Sequence, residues 1–452
     1  MKDQIASLYR KYVYFYTEES IAKIIVQSLL LRMLLGENEE YVSHYALRDK
    51  LRQVAYQQYD YSYLIEPEVF NSEKSLEIYN QVKDFDLMGD VDDLGIVFEG
   101  LMSRADAQKL GAFYPPPTLA SLIIQISLLD KDKETDLKIY DPAMGTAGLL
   151  VIAHKHILRV RQDLDVDYYG QEFNSTSWKI ACINALLYQM SFYFGNLPGS
   201  TMYDDKHKDL QADIILANPP YNQKAWDIGL DLANDPRFKD FPKPPSSNGN
   251  FAWILHCLYH LNHKGIACIV MANGSLTTNQ KDELIVRQYL IKHDLIEAII
   301  TLPPKLFVST GIPCCIWVLN KKKIRMGQML LIDLSSQGQP ISKKQNELSA
   351  NTINKVLEDI SKWREGYEIQ NINNLVSIDY TRVFEKNFNL SPSQYLEVDV
   401  ERVEIAEESF IEKLSKLIYD FERLADEEKK LSIEIISNLK KLKYEQADND
   451  EI

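Results

Sequence analysis

The sequence predicts an α/β protein whose central region forms a mixed, mostly parallel sheet covered by helices on both faces. Three observations support this fold class. Between residues 106 and 395, short apolar runs alternate with longer helix-like stretches. Residues 1–105 repeat apolar residues at three- and four-residue steps, and residues 396–452 repeat them at heptad spacing. We therefore expect a helical N-terminal domain, an α/β domain and a C-terminal helical tail with these bounds.

The first segment is predicted to be helical because of one long apolar stripe. Its members recur every three or four positions: Ile21, Ile24, Ile25, Leu29, Leu30 and Leu34. Gly36 follows the stripe and is a suitable helix stop, since glycine readily adopts the left-handed backbone that ends many helices.

The central segment supplies the strands of the sheet. Its strand-like runs are LKIYDP, DYYGQE, DIILANPP, GIACIVMAN, EAIITLPP and CCIWVLN. Their alternation with helix-like stretches such as SWKIACINALLY predicts parallel strands joined by helices. Residues 222–250 are rich in Pro, Asn, Asp and Lys without any period, so we expect a long loop beside the carboxyl edge of the sheet.

The last segment predicts one heptad helix, whose apolar seam Glu428 and Asn438 interrupt. The seam consists of Phe410, Leu414, Leu417, Phe421, Leu424, Leu431, Ile435 and Leu442. One alternative is that this helix packs on its own chain. We favour a partner's helix, because a strict heptad seam is narrower than the stripe that a globular helix usually buries.

The composition limits the class of protein. The chain has 452 residues, of which 45% are hydrophobic and 25% charged, and this balance excludes disorder as the main state. No apolar run reaches the roughly 18–20 residues that span a bilayer, and the N-terminus lacks a secretory signal, so we expect a cytoplasmic protein that does not bind membranes. The five cysteines match no zinc or disulfide spacing, so we expect no metal.

The charge balance bears on possible partners. Lysine and arginine number 50 against 65 aspartates and glutamates, which gives a net charge of −15 at pH 7. Such a chain repels a phosphate backbone unless positive charge is concentrated locally. If the protein acts on DNA, we expect another subunit to help hold it.

The strongest motif is Asn218-Pro219-Pro220-Tyr221, which directly follows the apolar run 213–217. The two prolines fix φ and remove backbone donors, so the turn is stiff. The Asn218 side-chain oxygen and the Pro219 carbonyl can accept the two N–H bonds of an adenine amino group, which exposes the lone pair of its nitrogen. Tyr221 offers a flat face for an extruded base. The alternative is an ordinary proline-rich turn with a capping asparagine.

A second motif, DPAMGTAGLL, occupies residues 141–150 after the apolar run 137–140. Gly145 and Gly148 let the backbone approach a ligand closely, and Asp141 can accept from a cationic ammonium. The motif is not the G-x-G-x-x-G dinucleotide fingerprint, and a carboxylate suits a pyrophosphate poorly. S-adenosylmethionine carries an amino group and a sulfonium but no phosphate. The alternative is a structural glycine turn.

A third motif, YYGQE at residues 168–172, ends the next predicted strand. An acidic residue at the end of the second strand of such a sheet accepts hydrogen bonds from ribose hydroxyls. Glu172 is therefore the predicted ribose acceptor, and a solvated glutamate is the alternative.

In order and wording, these motifs resemble those of the N6-adenine DNA methyltransferases, most closely the modification (M) subunit of type I restriction–modification systems. The resemblance extends from about Asp92 to Tyr395. It rests on DDLG (92–95) through Glu99, FYPP (113–116), DPAMGTAGLL, YGQE, NPPY, DPRF (235–238), NFAW (250–253) and the segment from LPP (302–304) to TGI (310–312). It implies a Rossmann-like S-adenosylmethionine-dependent methyltransferase fold and methyl transfer from S-adenosyl-L-methionine to N6 of a flipped adenine in DNA.

The resemblance also implies residue roles. The implied catalytic residues are Asn218, Pro219, Pro220, Tyr221 and Phe307. The implied cofactor-binding residues are Phe113, Tyr114, Asp141, Pro142, Ala143, Gly145, Thr146, Gly148, Glu172 and Thr201. Phe307 resembles the aromatic residue that contacts the flipped base from the side opposite Tyr221, and a core phenylalanine is the alternative.

Two positions depart from the family pattern. Where the family usually has Phe-x-Thr-Pro, this chain has Phe113-Tyr114-Pro115-Pro116, so a hydroxyl contact to the cofactor is lost. Where the family usually has Gly-Asp or Gly-Asn, this chain has Gly199-Ser200, which weakens a polar contact to the cofactor adenine. Neither departure touches the methyl-acceptor motif, so we predict an active enzyme.

The family resemblance further implies partners. A separate specificity (S) subunit is expected to recognise the sequence in double-stranded DNA. Two copies of the modification subunit are expected to pair with one specificity subunit, and a restriction (R) subunit can join them. Two other functions stay open, a catalytically silent scaffold subunit and a protein glutamine N-methyltransferase, which also uses NPPY. A dehydrogenase is disfavoured because the glycine spacing differs.

Overall fold

The computed structural model describes residues 7–8, 10–35, 41–57, 64–85, 115–131, 133–307, 311–342, 345–369, 374–396 and 407–447. The chain divides into two compact units, Met1–Glu397 and Val398–Ile452. The predicted domain boundary at residue 105 lies outside the described residues.

The strands of the first unit, in chain order, are β1 (Asp136–Asp141), β2 (Asp165–Gly170), β3 (Ser191–Tyr193), β4 (Ala212–Ala217), β5 (Leu261–Ala272), β6 (Ile296–Thr301), β7 (Cys314–Asn320), β8 (Gln328–Asp333), β9 (Gly338–Ser342), β10 (Gln345–Leu348) and β11 (Leu375–Asp379). Its helices are α1 (Glu18–Leu35), α2 (His44–Gln57), α3 (Glu73–Val82), α4 (Pro117–Leu128), α5 (Gly148–Val160), α6 (Ser175–Leu187), α7 (Asn250–His260), α8 (Gly274–Thr277), α9 (Lys281–Lys292), α10 (Ala350–Arg364) and α11 (Tyr380–Glu385). Within the described part of the chain, no helix combines the length and apolarity needed to cross a lipid bilayer.

Nine of the strands form one sheet in the order β11-β8-β6-β7-β5-β4-β1-β2-β3, and β9 pairs with β10 separately. Most neighbours in the large sheet run parallel. The exceptions are β7, which runs antiparallel to β5 and β6, and β11, which runs antiparallel to β8. The predicted α/β class with a mixed, mostly parallel sheet is confirmed.

Both faces of the large sheet are buried, because successive side chains of a strand point to opposite faces. Ile139 and Ile214 belong to one apolar cluster, which includes residues of α4, α5 and α6. Their neighbours Tyr140 and Ile215 belong to a second cluster, which includes residues of α7 and α9. This two-sided burial explains why the central strands read as continuous apolar runs.

The strand order reverses between β1 and β4. From β1 the chain continues to β2 and β3 on one side, and it then returns to place β4 on the other side of β1. Asp141, the last residue of β1, is paired in register with Gly170, the last residue of β2. The residues that follow β1, β2 and β4 therefore leave the sheet at one edge, where ligands of open α/β sheets bind.

The N-terminal helix α1 confirms the predicted stripe. Its buried apolar residues include Ile21, Ile24, Ile25, Leu29 and Leu30, each at most 2% exposed. The helix packs against α3 and α6, and Glu66, which lies between α2 and α3 in sequence, forms an ion pair with Lys179 of α6. Gly36, the predicted helix stop, lies outside the described residues.

The described part of the second unit, residues 407–447, is one helix, α12 (Glu407–Ala447), 41 residues long, as the heptad spacing predicts. The described seam residues of this helix are all exposed: Leu414, Leu417, Phe421, Leu424, Leu431 and Ile435. Nothing is described for the side chains of the two terminal seam residues, Phe410 and Leu442.

Candidate active site

Asp141 ends β1 as a buried carboxyl group, only 1% exposed. Its Oδ1 accepts a hydrogen bond from the Ala143 backbone N–H at 3.0 Å. Burial raises the pKa of Asp141 to about 8, the Ala143 N–H acts in the opposite direction, and the nearby Glu172 raises the pKa further. A cation placed beside this carboxyl group would favour its ionised form.

The loop after Asp141 is shaped for close approach of a ligand. Gly145 has φ +56°, and a Cβ built on it would meet no atom within 4 Å, so open space lies beside this backbone. Ala147 is also left-handed, with φ 65°, and α5 begins at Gly148. The Thr146 hydroxyl is buried and has no hydrogen-bond partner among the described residues. A buried acid, an unpartnered hydroxyl and an open backbone fit the amino-acid end of S-adenosylmethionine.

Glu172 lies beside the same loop and is half-buried. Its Oε2 accepts the Gly145 N–H at 3.1 Å, and its Oε1 accepts the Asn174 N–H at 2.6 Å. Burial raises the pKa of Glu172, while these backbone N–H groups act against that rise. Because each carboxylate oxygen can accept a second donor, the predicted ribose acceptor keeps capacity for ligand hydroxyls. The structure thus brings together two predicted cofactor residues, Gly145 and Glu172.

Thr201 contacts the loop after β1 directly. Its hydroxyl donates to the Pro142 carbonyl at 2.5 Å, and the side chain is buried. The neighbouring Gln171 donates to the carbonyls of Gly199 and Asp204 at 3.2 and 2.7 Å. These contacts hold the segment 199–204 against the carboxyl ends of β1 and β2.

The acceptor corner follows β4 directly. Pro219 is buried, and Asn218, Pro220 and Tyr221 are half-buried. The Tyr221 hydroxyl donates to Asn218 Oδ1 at 2.5 Å. Burial raises the pKa of Tyr221 well above its ordinary value of 10, which keeps the hydroxyl protonated as a donor. The two residues predicted to handle the base therefore contact each other.

The backbone that follows Tyr221 is hydrogen-bonded to a buried asparagine, Asn250, at the start of α7. Asn250 Oδ1 accepts the Asn222 N–H at 2.8 Å, and Asn250 Nδ2 donates to Asn222 Oδ1 at 3.0 Å. Asn222 itself has φ 55°, a conformation that asparagine tolerates better than most residues. This reciprocal pair fixes the backbone immediately after Tyr221.

The predicted long loop is confirmed, since no helix or strand lies between Ala217 and Asn250, a fully described segment. The loop is nevertheless well packed. Trp226 is 1% exposed and donates to the Pro245 carbonyl at 2.8 Å. Ala225 N–H donates across the loop to the Ser246 carbonyl at 2.8 Å.

Phe307 lies in the apolar core, 5% exposed, in the same cluster that Tyr221 packs against. This is the placement of the core-phenylalanine alternative, and its contact with a base stays a prediction. Phe113 and Tyr114 lie outside the described residues.

Four residues missed as site candidates surround this edge. Gln171, Arg237 and Asn250 are buried polar side chains, and Phe173 is 73% exposed directly after Glu172. The sequence contained a signal for three of them, because Gln171, Arg237 and Asn250 belong to the motifs YGQE, DPRF and NFAW. Buried polar groups need partners, so such motifs predict hydrogen-bond networks even when no ligand role is evident.

One group of side chains in the described part of the chain could geometrically hold a metal: Asp205, His256 and His260, whose ligand atoms lie within 4.8 Å of one another. His260 Nε2 is 3.0 Å from Asp205 Oδ2, and its Nδ1 is 3.1 Å from the Leu210 carbonyl. The Arg237 guanidinium lies 3.3 Å from His256 Nδ1. Hydrogen bonds account for these contacts, and a neighbouring guanidinium disfavours a metal cation.

The chain is similar to known methylases in sequence and in fold. The sequence model of the N-6 DNA Methylase family matches residues 89–404. The methylase subunit of the type I restriction enzyme HindI from Haemophilus influenzae is 33% identical over 364 residues, which cover 79% of this chain and 80% of that protein. The methyltransferase subunit of a Streptococcus thermophilus type I restriction–modification system superposes with a TM-score of 0.68 at 22% identity, covering 88% of this chain and 99% of the other. A Listeria monocytogenes protein described as a class I S-adenosylmethionine-dependent methyltransferase superposes with a TM-score of 0.51 at 17% identity, covering 77% of this chain and all of the other.

The sheet order and the structural neighbours show the fold of the S-adenosylmethionine-dependent methyltransferases, and the predicted fold is confirmed. The chain belongs to the N-6 DNA methylase family. The chain is therefore an adenine-specific DNA methyltransferase that uses S-adenosylmethionine as its cofactor. The predicted resemblance to type I modification subunits is confirmed.

Proposed function

We propose that the target adenine receives its methyl group at the corner Asn218–Tyr221, and that the loop 141–148 together with Glu172 holds the cofactor. The observation that carries this proposal is the position of the two motifs. They follow β4 and β1, which are parallel neighbours at the point where the strand order reverses. A ligand in the crevice at this edge can contact both motifs.

S-adenosylmethionine supplies an electrophilic methyl group attached to a sulfonium. The chain has to present the exocyclic amine of adenine to that methyl in line. Asn218 Oδ1 and the Pro219 carbonyl each accept one N–H of the amine, and the nitrogen lone pair is thereby turned out of conjugation with the ring. Tyr221 stacks on the base, and most of the rate enhancement comes from orientation rather than from a strong base.

Before a base binds, the Tyr221 hydroxyl already donates to the Asn218 oxygen that the amine needs. An asparagine oxygen can accept two hydrogen bonds. The amine either shares this oxygen or replaces the hydroxyl, and in both cases the aromatic ring stays next to the base.

We extend the proposal to partners. The net charge of −15 opposes tight DNA binding by this chain alone. The exposed seam of α12 offers apolar side chains such as Leu417 and Phe421 to a partner helix. A specificity subunit is the proposed occupant, in a complex with a second modification subunit, a restriction subunit where the system has one, and double-stranded DNA.

The test is co-expression of this chain with the specificity subunit of its own system. The purified complex is incubated with radiolabelled S-adenosylmethionine and unmethylated genomic DNA, and the DNA is then analysed for N6-methyladenine. We expect label in N6-methyladenine for the wild type and none for Asn218→Ala at equal folding. Cofactor binding without methylation of DNA but with methylation of a glutamine peptide would favour the protein methyltransferase. Absence of cofactor binding would favour the scaffold.

A further inference from the structure

Arg237, in the middle of the long loop, is a buried arginine that makes a complete set of hydrogen bonds. It is 5% exposed. Its Nε and Nη2 donate to the two carboxylate oxygens of Asp235 at 3.0 and 2.6 Å. Nη1 donates to the Thr201 carbonyl and Nη2 to the Met202 carbonyl, both at 2.7 Å. With His256 Nδ1 at 3.3 Å from Nη1, all five guanidinium N–H groups have an acceptor.

One branch of this network leads to the cofactor loop through Thr201. Arg237 holds the Thr201 carbonyl, and the Thr201 hydroxyl donates to the Pro142 carbonyl at 2.5 Å. Pro142 is the residue directly after Asp141. Through Thr201, the Arg237 guanidinium therefore helps to hold the backbone next to the buried carboxyl group of Asp141.

The second branch leads to the same place through His256. Because arginine can only donate, His256 Nδ1 must accept, and the neutral ring then carries its proton on Nε2. Burial lowers the pKa of His256 well below its ordinary value, which agrees with a neutral ring. His256 Nε2 lies 3.0 Å from the hydroxyl of Tyr140, so it donates there. Tyr140 directly precedes Asp141, and both branches thus end on its two neighbours in sequence.

We infer that Arg237, held by Asp235, is a positioning residue for the cofactor site, since its hydrogen-bond network reaches the Pro142 carbonyl and the Tyr140 side chain, which belong to the two neighbours of Asp141 in sequence. This inference rests on the proposed assignment of the loop 141–148 to the cofactor. It gives the DPRF segment a role in cofactor affinity, although the segment itself lies outside the loop. Lysine cannot replace the residue, because its three donors lack the planar fork that reaches Asp235 and two carbonyls together.

The experiment compares Arg237→Lys with Arg364→Lys as a matched control. Arg364 is also a buried arginine, 4% exposed, and its Nε and Nη2 donate to Glu297 at 3.1 and 2.7 Å. Glu297 follows the first residue of β6, toward the amino end of the strand and opposite the site edge. We measure the dissociation constant of S-adenosylmethionine by calorimetry and the Tm of each variant, using the full chain in complex with its specificity subunit.

We expect Arg237→Lys to weaken cofactor binding at least tenfold and Arg364→Lys to change it less than twofold, while both lower the Tm. Equal weakening by both variants, or an unchanged dissociation constant for Arg237→Lys, would overturn the inference. A wild-type complex that does not bind S-adenosylmethionine would overturn the proposed cofactor site and, with it, this inference.

A double-mutant cycle separates positioning from general loss of stability. Thr201→Val removes the hydroxyl that reaches Pro142, whereas Thr201→Ser keeps it. If Arg237 acts through Thr201, the double variant Arg237→Lys/Thr201→Val should weaken cofactor binding by less than the product of the two single effects. The variant Thr201→Ser, which keeps the hydroxyl, should retain more cofactor affinity than Thr201→Val. Independent, multiplicative effects would contradict this link.

Discussion

The hydroxyl of Tyr221 donates to the side-chain oxygen of Asn218 at 2.5 Å, so the two residues of the acceptor corner satisfy each other before any base arrives. The contact gives the Asn218 oxygen a donor inside the half-buried corner. It also ties the orientation of the aromatic ring to that of the carboxamide. The corner is thus held in one arrangement by its own side chains.

Substitutions at Tyr221 should separate the ring from the hydroxyl. Tyr221→Phe keeps the stacking face and removes the competing donor, so we expect methylation within a few-fold of the wild type. Tyr221→Ala loses the face, and stacking of roughly 1–3 kcal/mol corresponds to about 5- to 150-fold in rate. Steady-state methylation of DNA checks both variants. Tyr203→Phe is the control, because it removes another tyrosine hydroxyl, one that donates to a carbonyl of the long loop. Equal losses for Tyr221→Phe and Tyr221→Ala would count against stacking.

Cofactor affinity should depend on pH through Asp141. Its pKa of about 8 means that the free protein carries a neutral carboxyl group there below pH 8. The ammonium group of S-adenosylmethionine favours the ionised form of Asp141, so cofactor binding below pH 8 releases a proton. The affinity should therefore fall about tenfold for each pH unit below 8. Amino groups of this kind lose their own proton at about pH 8, so affinity should peak near that pH. Calorimetry in buffers of different ionisation enthalpy measures the released proton, and Asp141→Asn should release none.

The same group should shape thermal stability. A carboxyl group whose pKa is raised by folding contributes stability that is full below about pH 4 and is lost as the pH rises through about 8. Asp141→Asn keeps a neutral side chain at every pH. We therefore expect the Tm of this variant, relative to the wild type, to rise between pH 5 and pH 9 in the absence of ligand. The exposed Asp209→Asn is the control, and a parallel pH dependence of the two variants would contradict the assignment.

Gly170, the last residue of β2, should not tolerate alanine. A Cβ there would overlap the sulfur of Met144 and lie 3.1 Å from the Phe194 ring. Since Met144 belongs to the cofactor loop, the methyl group should displace that loop and cost about 1–3 kcal/mol of stability. Denaturation and cofactor titration of Gly170→Ala measure both effects. Adding Met144→Ala should restore part of the binding, and no restoration would show that the Phe194 contact dominates.

The seam of α12 should control assembly without affecting the cofactor. Leu417→Asp with Phe421→Asp places charges on the exposed apolar face. We expect loss of co-purification with the specificity subunit and unchanged binding of S-adenosylmethionine. Arg423→Ala is the control, because its exposed ion pair with Glu427, an i,i+4 pair at 3.3 Å, contributes little. Retained assembly of the double variant would refute the seam as the contact surface.

The fold class, the long loop and the heptad helix were predictable, because each depends on patterns local to the chain. The direction of β7 was not predictable in this way. An apolar strand such as CCIWVLN reads alike in either orientation, and the structure pairs it antiparallel with both β5 and β6. Topology of this kind is decided by packing over long sequence separations.

The site was predicted in its motifs but not in its internal contacts. Asn218, Asp141 and Glu172 are placed by strand ends, which sequence patterns locate well. The acceptors of Arg237 come from residues 201–202, 235 and 256, which no local pattern relates. Phe307 shows the converse, since an aromatic residue next to a turn reads alike whether it faces a base or the core, and here it is buried.

The segment between Ala217 and Asn250 has no regular secondary structure, yet Trp226 and the Asn222–Asn250 pair fix its course within the isolated chain. A loop that became ordered only on binding a DNA duplex would lose conformational entropy in each binding event, and the free energy of binding would be less favourable by that amount. In this chain the loop loses that conformational entropy on folding, before DNA binds. Under the proposed function, the free energy of DNA binding can then go into unstacking the target nucleotide, a step that enzymes acting on a base inside a duplex have to drive.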